Sequence, residues 1–514
     1  MDIMNRQHNQ IKSASLMSYV IMILQILTSI LTTPYIVNRI GDASYGVYKV
    51  IASFVAYMTV LNFGLGTAAL RYLSEYRINN NKEKETQLLS FINIANYIIS
   101  FIVIIIGAVI YIYIPNIFGK SMSKYEIDLA RQLFVVLLVN IVISVFTDKY
   151  VGIINAYEQF IYVKLIDLIR TCSKIILIYA ILYINNSALS LTLIDLFLNL
   201  FVLILYKIFC QKKLGITYAN IFQIANIKIA EYKEFILYAG GVFITMIINQ
   251  LLWNVDSVII GMRLGAIESA IYAVGTTFSS AFFSASIIFT NMLLPKVVKM
   301  TENGATGSEY TQFAIKIARY QSYIILYIYF AFVVFGQNFI ELWMGNGYKG
   351  AWTTALLVMS GTLFSSFVIT VQVILRAQKR QSFYNIVHLA IFIFNAILTY
   401  YAVGFIGIDG AALMTFFTYL FGYVFIIYPY YYYKIKIDIF SIFKALLKWC
   451  IPCASLIAVL FWAIVKNITN TWINFTIEVI LYTVVYILLM YITMNNDEKG
   501  FIINEIDKRK KNNG

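Results

Sequence analysis

Residues 87–115 read QLLSFINIANYIISFIVIIIGAVIYIYIP, without a single Asp, Glu, Lys or Arg. A bilayer core about 30 Å thick takes roughly 20 apolar residues to cross as a helix. Lipid offers the backbone no partners, so such a run must bond to itself along the helix. Thirteen further stretches of the same kind flank it, at 12–37, 45–70, 126–148, 158–184, 188–209, 235–261, 268–294, 318–341, 352–375, 384–405, 409–433, 441–465 and 473–494. The chain is 61% hydrophobic and 12% charged with a mean hydropathy of +0.77, about half the charged share of a soluble domain. The expected class is an all-α integral membrane protein with 14 transmembrane helices. The first span is too long, and lacks the cleavage pattern, for a signal peptide.

Lys and Arg set the orientation. With the N-terminus cytoplasmic, only Arg39, Lys120, Lys124, Arg131, Arg263, Lys349 and Lys466 fall outside, and Lys49, Arg170 and Lys174 fall within spans. The other basic residues collect on the cytoplasmic side, and an even span count returns the C-terminus there with Lys508, Arg509, Lys510 and Lys511. The net charge of +14 therefore reads as topology and attraction to anionic lipid headgroups. Basic residues scattered over many short loops do not make a nucleic-acid surface.

The chain repeats itself. Arg39, Gly41, Tyr48 and Val50 recur as Arg263, Gly265, Tyr272 and Val274, each 224 residues later. The same offset carries Gln25 to Asn249, Thr32 to Asp256 and Asn185 to Asp409. Two six-helix halves of equal entry side imply a parallel repeat about a pseudo-twofold axis along the membrane normal, with two C-terminal helices appended. The expected organisation is a six-helix bundle at 1–215, an interfacial cytoplasmic linker at 216–234, and a second bundle at 235–436. Helices 13 and 14 follow at 437–494, then a basic cytoplasmic tail at 495–514. In transporters the pathway commonly runs between such halves; the competing reading is duplication without transport.

Pro34-Tyr35-Ile36-Val37-Asn38-Arg39-Ile40-Gly41, Tyr45-Gly46-Val47-Tyr48, Asn62-Phe63-Gly64-Leu65-Gly66-Thr67 and Leu70-Arg71-Tyr72 together resemble the first helix pair of polysaccharide flippases. These belong to the multidrug/oligosaccharidyl-lipid/polysaccharide exporter superfamily, and the resemblance is to its O-antigen (Wzx-type) branch. Asp256 to Gly265 and Gly407 to Leu413 resemble the family's seventh helix with its exit loop and the opening of its twelfth. The resemblance implies movement of an undecaprenyl-pyrophosphate-linked oligosaccharide, an O-antigen or other lipopolysaccharide or surface-glycan unit, from the cytoplasmic to the periplasmic leaflet of the bacterial inner membrane. It implies alternating access, no enzymatic step, no cofactor, and partners in the polysaccharide polymerase and chain-length machinery. The chain has no Gly-x4-Gly-Lys-Ser/Thr phosphate loop, so H+ or Na+ is the candidate coupling ion.

Ionisable residues inside spans mark candidate sites, because lipid penalises charge. In span 5, Lys164, Asp167, Arg170 and Lys174 are spaced 3, 3 and 4 apart, one stripe of about 120° on a helix. Three cations against one carboxylate suit a pyrophosphate through charge-assisted hydrogen bonds. The bland alternative has Lys164 snorkelling to headgroups and Asp167 pairing with Arg170. Lys49 in span 2 and Arg71, Arg376 and Arg380 at cytoplasmic helix ends complete the headgroup candidates. Gln25 and Thr32 in span 1, Asn249 and Asp256 in span 7, and Thr276 and Ser280 in span 8 are expected to line the cavity between the halves, although small residues also serve helix packing. Asp167 and Asp256 are candidates for ion coupling; Asp256 could equally neutralise a cation such as Lys49. Asp195 and Glu478 read as further lone acids.

Other classes fit less well. A drug or cation antiporter of the same superfamily is the main alternative, but would want an acid-lined cavity. The 72–87 loop lacks the glycine- and arginine-rich signature of major-facilitator transporters. A glycosyltransferase or polymerase needs long outer loops. Cys450-Ile451-Pro452-Cys453 copies a redox spacing inside an apolar span, and His8 and His388 cannot build a metal site.

Overall fold

The computed structural model describes residues 2–216, 232–287, 290–448, 450–465, 471–494 and 499–500. Most of the expected linker 216–234 and nearly all of the expected tail 495–514, including Lys508 to Lys511, lie outside the described residues. Among those described, the chain is almost wholly helical.

The helices are α1 (Asp2–Ile40), α2 (Asp42–Ala56), α3 (Leu65–Ile78), α4 (Lys82–Phe118), α5 (Lys124–Ala156), α6 (Phe160–Ile184) and α7 (Ala188–Lys212). They continue with α8 (Lys233–Arg263), α9 (Ala266–Ile287), α10 (Thr290–Glu302), α11 (Gly307–Met344), α12 (Gly350–Ser366) and α13 (Ile369–Ala377). The last are α14 (Gln381–Ile406), α15 (Ile408–Ile435), α16 (Ile439–Lys448), α17 (Cys450–Val465) and α18 (Trp472–Thr493). Every expected span falls on one helix or on two consecutive helices.

Starts follow local chemistry. Ser123 before α5 and Thr306 before α11 each accept from the backbone N–H three residues on, while Glu126 and Glu309 reach back to the cap N–H. Each box satisfies donors the helix itself leaves open.

Among the described residues, eleven helices are long and apolar enough to cross a bilayer, or thirteen when the bent pairs 346–377 and 439–463 each count as one span. The further expected span, 158–184, is helical as α6, but its four charges within eleven residues set it apart from the apolar crossings. Lipid-facing bulk is plain on α4, where Tyr97, Phe101, Ile105 and Ile112 are exposed. This is a multi-pass membrane protein.

Two compact units form: residues 1–273 with 392–411, and residues 274–391 with 412–514. In the first, α1 packs along α6, α5 along α7, and α2 and α3 against α5 and α8. In the second, α11 packs against α16 and α17, and α10 against α13.

The second expected span is not one continuous helix. After α2 the backbone tightens into a 3₁₀ segment, Tyr57–Asn62, and then Phe63 (φ 50°) and Gly64 (φ 65°) both turn left-handed before α3 begins. Gly adopts that conformation freely, whereas a Phe there is held by its surroundings.

A cationic cavity in the first unit

The stripe on α6 does face a cavity. It measures about 380 Å³ and lies within the first unit, walled by α1, α2, α6 and α7. Reciprocal hydrogen bonds fix α1 against α6: the Tyr35 hydroxyl donates to the Tyr179 carbonyl at 3.0 Å, and the Tyr179 hydroxyl donates to the Leu31 carbonyl at 3.1 Å. The two rings sit 4.5 Å apart. Behind α7 in the same unit, the Asn199 amide donates to the Asn140 side-chain oxygen, tying α7 to α5.

From α1 come Gln25, Thr28, Ser29, Thr32 and Thr33. Thr28, Thr32 and Thr33 spend their hydroxyl protons on carbonyls one turn earlier, at 2.6, 2.8 and 2.6 Å. Their oxygens can still accept, so this wall is a set of acceptors. From α2 come Tyr45, Tyr48 and Lys49. The Lys49 ammonium lies 5.3 Å from the Tyr45 ring centre and 6.0 Å from that of Tyr48, a cation–π arrangement. The buried Tyr45 hydroxyl has no hydrogen-bond partner among the described residues.

Charge in the cavity is partly neutralised. From α6 come Asp167, Arg170, Thr171 and Lys174, and from α7 Asp195. Lys174 Nζ lies 2.6 Å from Asp195 Oδ1, so Asp195 is not the lone acid that its position in the sequence suggested. Asp167 pairs with Lys164 at 3.5 Å, not with Arg170 as the bland reading had it. On one helix Lys164 and Asp167 are a turn apart, and the lysine stem is long enough to close the gap. Arg170 makes no ion pair among the described residues. Among the described residues, Lys49 and Arg170 are thus the cavity's cations without a carboxylate.

Gln25, Thr32, Lys49, Asp167, Arg170 and Lys174 line this cavity together, inside the first unit. Of these, helical spacing groups only the three α6 residues, and Gln25 and Thr32 were expected to line a cavity between the halves. Lys164 stands beside the cavity through Asp167. The other candidates lie elsewhere. Asn249 is exposed on α8, and buried Asp256 accepts from the Tyr272 hydroxyl at 2.7 Å rather than neutralising Lys49. Thr276 and Ser280 are half-buried in the second unit, where the Ser280 hydroxyl donates to the Thr277 carbonyl. Exposed Arg71 lies over the Tyr238 ring at 4.5 Å. Arg376 and Arg380 are exposed in the second unit, and Arg380 donates to the Lys434 carbonyl at 3.4 Å. Tyr45, Thr33 and Thr171 were missed; the i, i+4 spacing of Tyr45 with Lys49, and of Asp167 with Thr171, was the available signal.

The fold has known counterparts. It is similar to the lipid II flippase MurJ in an inward closed conformation, with a TM-score of 0.74 at 16% identity over 93% of this chain and 98% of that one. It is also similar to an inward-facing multidrug resistance MATE family transporter of the MOP superfamily, with a TM-score of 0.52 at 15% identity over 78% and 96%. At these identities the likeness is one of fold. In sequence, the chain is 22% identical over 248 residues to the Salmonella typhimurium protein named "Putative O-antigen transporter", covering 47% of this chain and 54% of the relative. The chain thus spans about half the length of the curated relative it matches. Residues 12–301, more than half the chain, match the family model described as polysaccharide biosynthesis protein. The chain belongs to the polysaccharide biosynthesis protein family of multi-pass membrane proteins, as its first helix pair suggested.

Proposed function

We propose that the protein is a flippase for a lipid-linked oligosaccharide, carrying an undecaprenyl-pyrophosphate-linked glycan unit from the cytoplasmic to the periplasmic leaflet of a bacterial inner membrane. The observation that carries this reading is the cavity in which Lys49 and Arg170 lack carboxylate partners among the described residues and face a wall of hydroxyl acceptors. Family membership supports it.

The chemistry is a match of charge and polarity. Moving one ion from water into hydrocarbon costs on the order of 20 kcal/mol in the idealised limit. A hydrated, cationic cavity avoids most of that cost for a pyrophosphate, while the prenyl tail stays in lipid. Arg170 offers a planar fork of donors for phosphate oxygens, Lys49 a point charge, and the threonine oxygens accept from sugar hydroxyls. Lys174 becomes available when a phosphate competes with Asp195. Outward movement of an anion gains about 2.3 kcal/mol per charge for each 100 mV. The same field opposes return of an empty cationic site, so the cycle calls for inward movement of H+ or Na+. Alternating access then opens the cavity to one leaflet and then the other, with cytoplasmic termini, and delivers the product to a polymerase and its chain-length machinery.

In cells lacking this protein, lipid-linked glycan should accumulate on the cytoplasmic leaflet. The wild-type gene should clear it, and Arg170→Ala at equal protein level should not. A second reading, cation or drug antiport, draws on the two carboxylates in the same cavity, Asp167 and Asp195. Both are held by lysines. Efflux of cationic dyes without any effect on the glycan would favour the antiporter.

A further inference from the structure

A second polar cavity lies in the first unit, away from the cationic one. It measures about 250 Å³ and forms where the second span breaks, between the 3₁₀ segment with the start of α3, and α4, α5 and α8. Among the described residues, Asp148 on α5 is the only ionisable side chain on its wall, with Asn62, Asn96, Asn155 and Thr67 around it. The Asn62 amide nitrogen donates to Asp148 Oδ2 at 2.7 Å. Asn62 is 94% buried, yet its side-chain oxygen has no hydrogen-bond partner among the described residues. Leaving such an acceptor unmade is costly, so it points to an absent electropositive group. The Asn96 amide nitrogen donates to the Val145 carbonyl at 3.5 Å, which leaves its oxygen free to accept.

The neighbouring cation does not supply that group. Lys149 Nζ bonds to the Asn93 side-chain oxygen at 2.8 Å and does not line the cavity. The backbone is also built for the site. Phe63 is held left-handed beside Asn62, a conformation that costs on the order of 1–3 kcal/mol and persists where the surroundings enforce it. Cβ atoms on Gly66 or Gly152 would overlap the backbone of the facing helix, so α3 and α5 meet at the level of Asp148 with no side chain between them. Broken spans of this kind expose backbone carbonyls at membrane depth, and those coordinate alkali cations in transporters.

We infer that Asp148, Asn62 and the amides around them form a binding site for one alkali cation of the Na+ class. One carboxylate with several neutral oxygens matches a monovalent hard cation; a proton would need the carboxylate alone, and a divalent ion would want more negative charge. The two acids that sequence suggested for ion coupling are already engaged, Asp167 by Lys164 and Asp256 by Tyr272. Cation binding here would fix the 3₁₀ break and hence the register of α2, which carries Lys49, against α5. Its role in coupling rests on the transport reading above; the binding itself does not.

The test is equilibrium binding of ²²Na⁺ to the purified protein in detergent without lipid-linked substrate, with choline replacing Na+ at constant ionic strength. The expected result is saturable binding to a single site, abolished by Asp148→Asn, weakened several-fold by Asn62→Ala and retained by Asp167→Asn. Thermal unfolding and size exclusion confirm that each variant is folded. Absence of saturable Na+ binding by the wild type would overturn the inference. So would binding indifferent to both Asp148→Asn and Asn62→Ala, or stabilisation that follows pH and ignores Na+. A protein that flips lipid-linked glycan without binding Na+ refutes this site alone. One that binds Na+ at Asp148 but flips nothing refutes the transport reading alone.

Discussion

Lys174 on α6 and Asp195 on α7 form an ion pair across the cavity, with nitrogen and oxygen 2.6 Å apart. The pair sets how much positive charge the cavity shows to a phosphate. Lys174→Ala strands the carboxylate, and should lower both transport and stability, the latter by about 1–2 kcal/mol, between the exposed and buried limits for ion pairs. The double variant Lys174→Ala with Asp195→Asn should recover the stability but not the transport. Thermal unfolding beside a flipping assay reads both arms of the cycle; recovery of transport would show that the ammonium only balances Asp195.

Arg170 has no such partner among the described residues, so its removal separates function from folding. Losing charge-assisted hydrogen bonds worth roughly 1.5–3 kcal/mol should weaken headgroup binding about 10- to 100-fold. The unfolding temperature should stay close to wild type. Competition by pyrophosphate against a labelled lipid-linked glycan measures the first quantity.

Close backbone approaches predict a pattern among glycines. A Cβ on Gly46 would overlap the Ala266 carbonyl, and one on Gly152 the Gly66 carbonyl, whereas one on Gly240 meets nothing within 4 Å. Gly46→Ala and Gly152→Ala should each cost about 1–3 kcal/mol by overpacking. Gly240→Ala in mid-helix should be neutral or stabilising by about 0.5–1 kcal/mol. Melting curves of the three variants check the order.

Acid should undo one helix start. Asp438 precedes α16 and accepts from the Ser441 N–H at 3.1 Å and the Ser441 hydroxyl at 2.6 Å. Those bonds hold its carboxyl below the usual carboxylate range. A lowered folded pKa gives stability that is fully present above the unfolded value of about 3.9 and is lost as pH falls through the folded value. Asp438→Ala should therefore cost about 1 kcal/mol at neutral pH, and the gap to wild type should close below that range.

The spans were legible because lipid imposes a length and a polarity on every crossing. The charged stripe of α6 was legible because residues 3 and 4 apart share a helix face. Partners on other helices were not. Asp195 lies 21 residues from Lys174, and Asn62 lies 86 residues from Asp148, so only the packing of α6 on α7 and of the 3₁₀ segment on α5 joins them. The break at Phe63 was hidden for a similar reason: Asn62-Phe63-Gly64 carries no proline, and a lone glycine does not announce that the residue before it also turns left-handed. Asp256 looked available because its acceptor role depends on Tyr272, on the next helix.

The most direct test is reconstitution of the purified protein into liposomes holding a fluorescent undecaprenyl-pyrophosphate-linked oligosaccharide, with leaflet position read by a membrane-impermeant quencher. Protein-dependent exchange of the glycan between leaflets, abolished by Arg170→Ala, is the expected result. Liposomes in which the wild-type protein moves cationic dye but leaves the lipid-linked glycan in its original leaflet would contradict it.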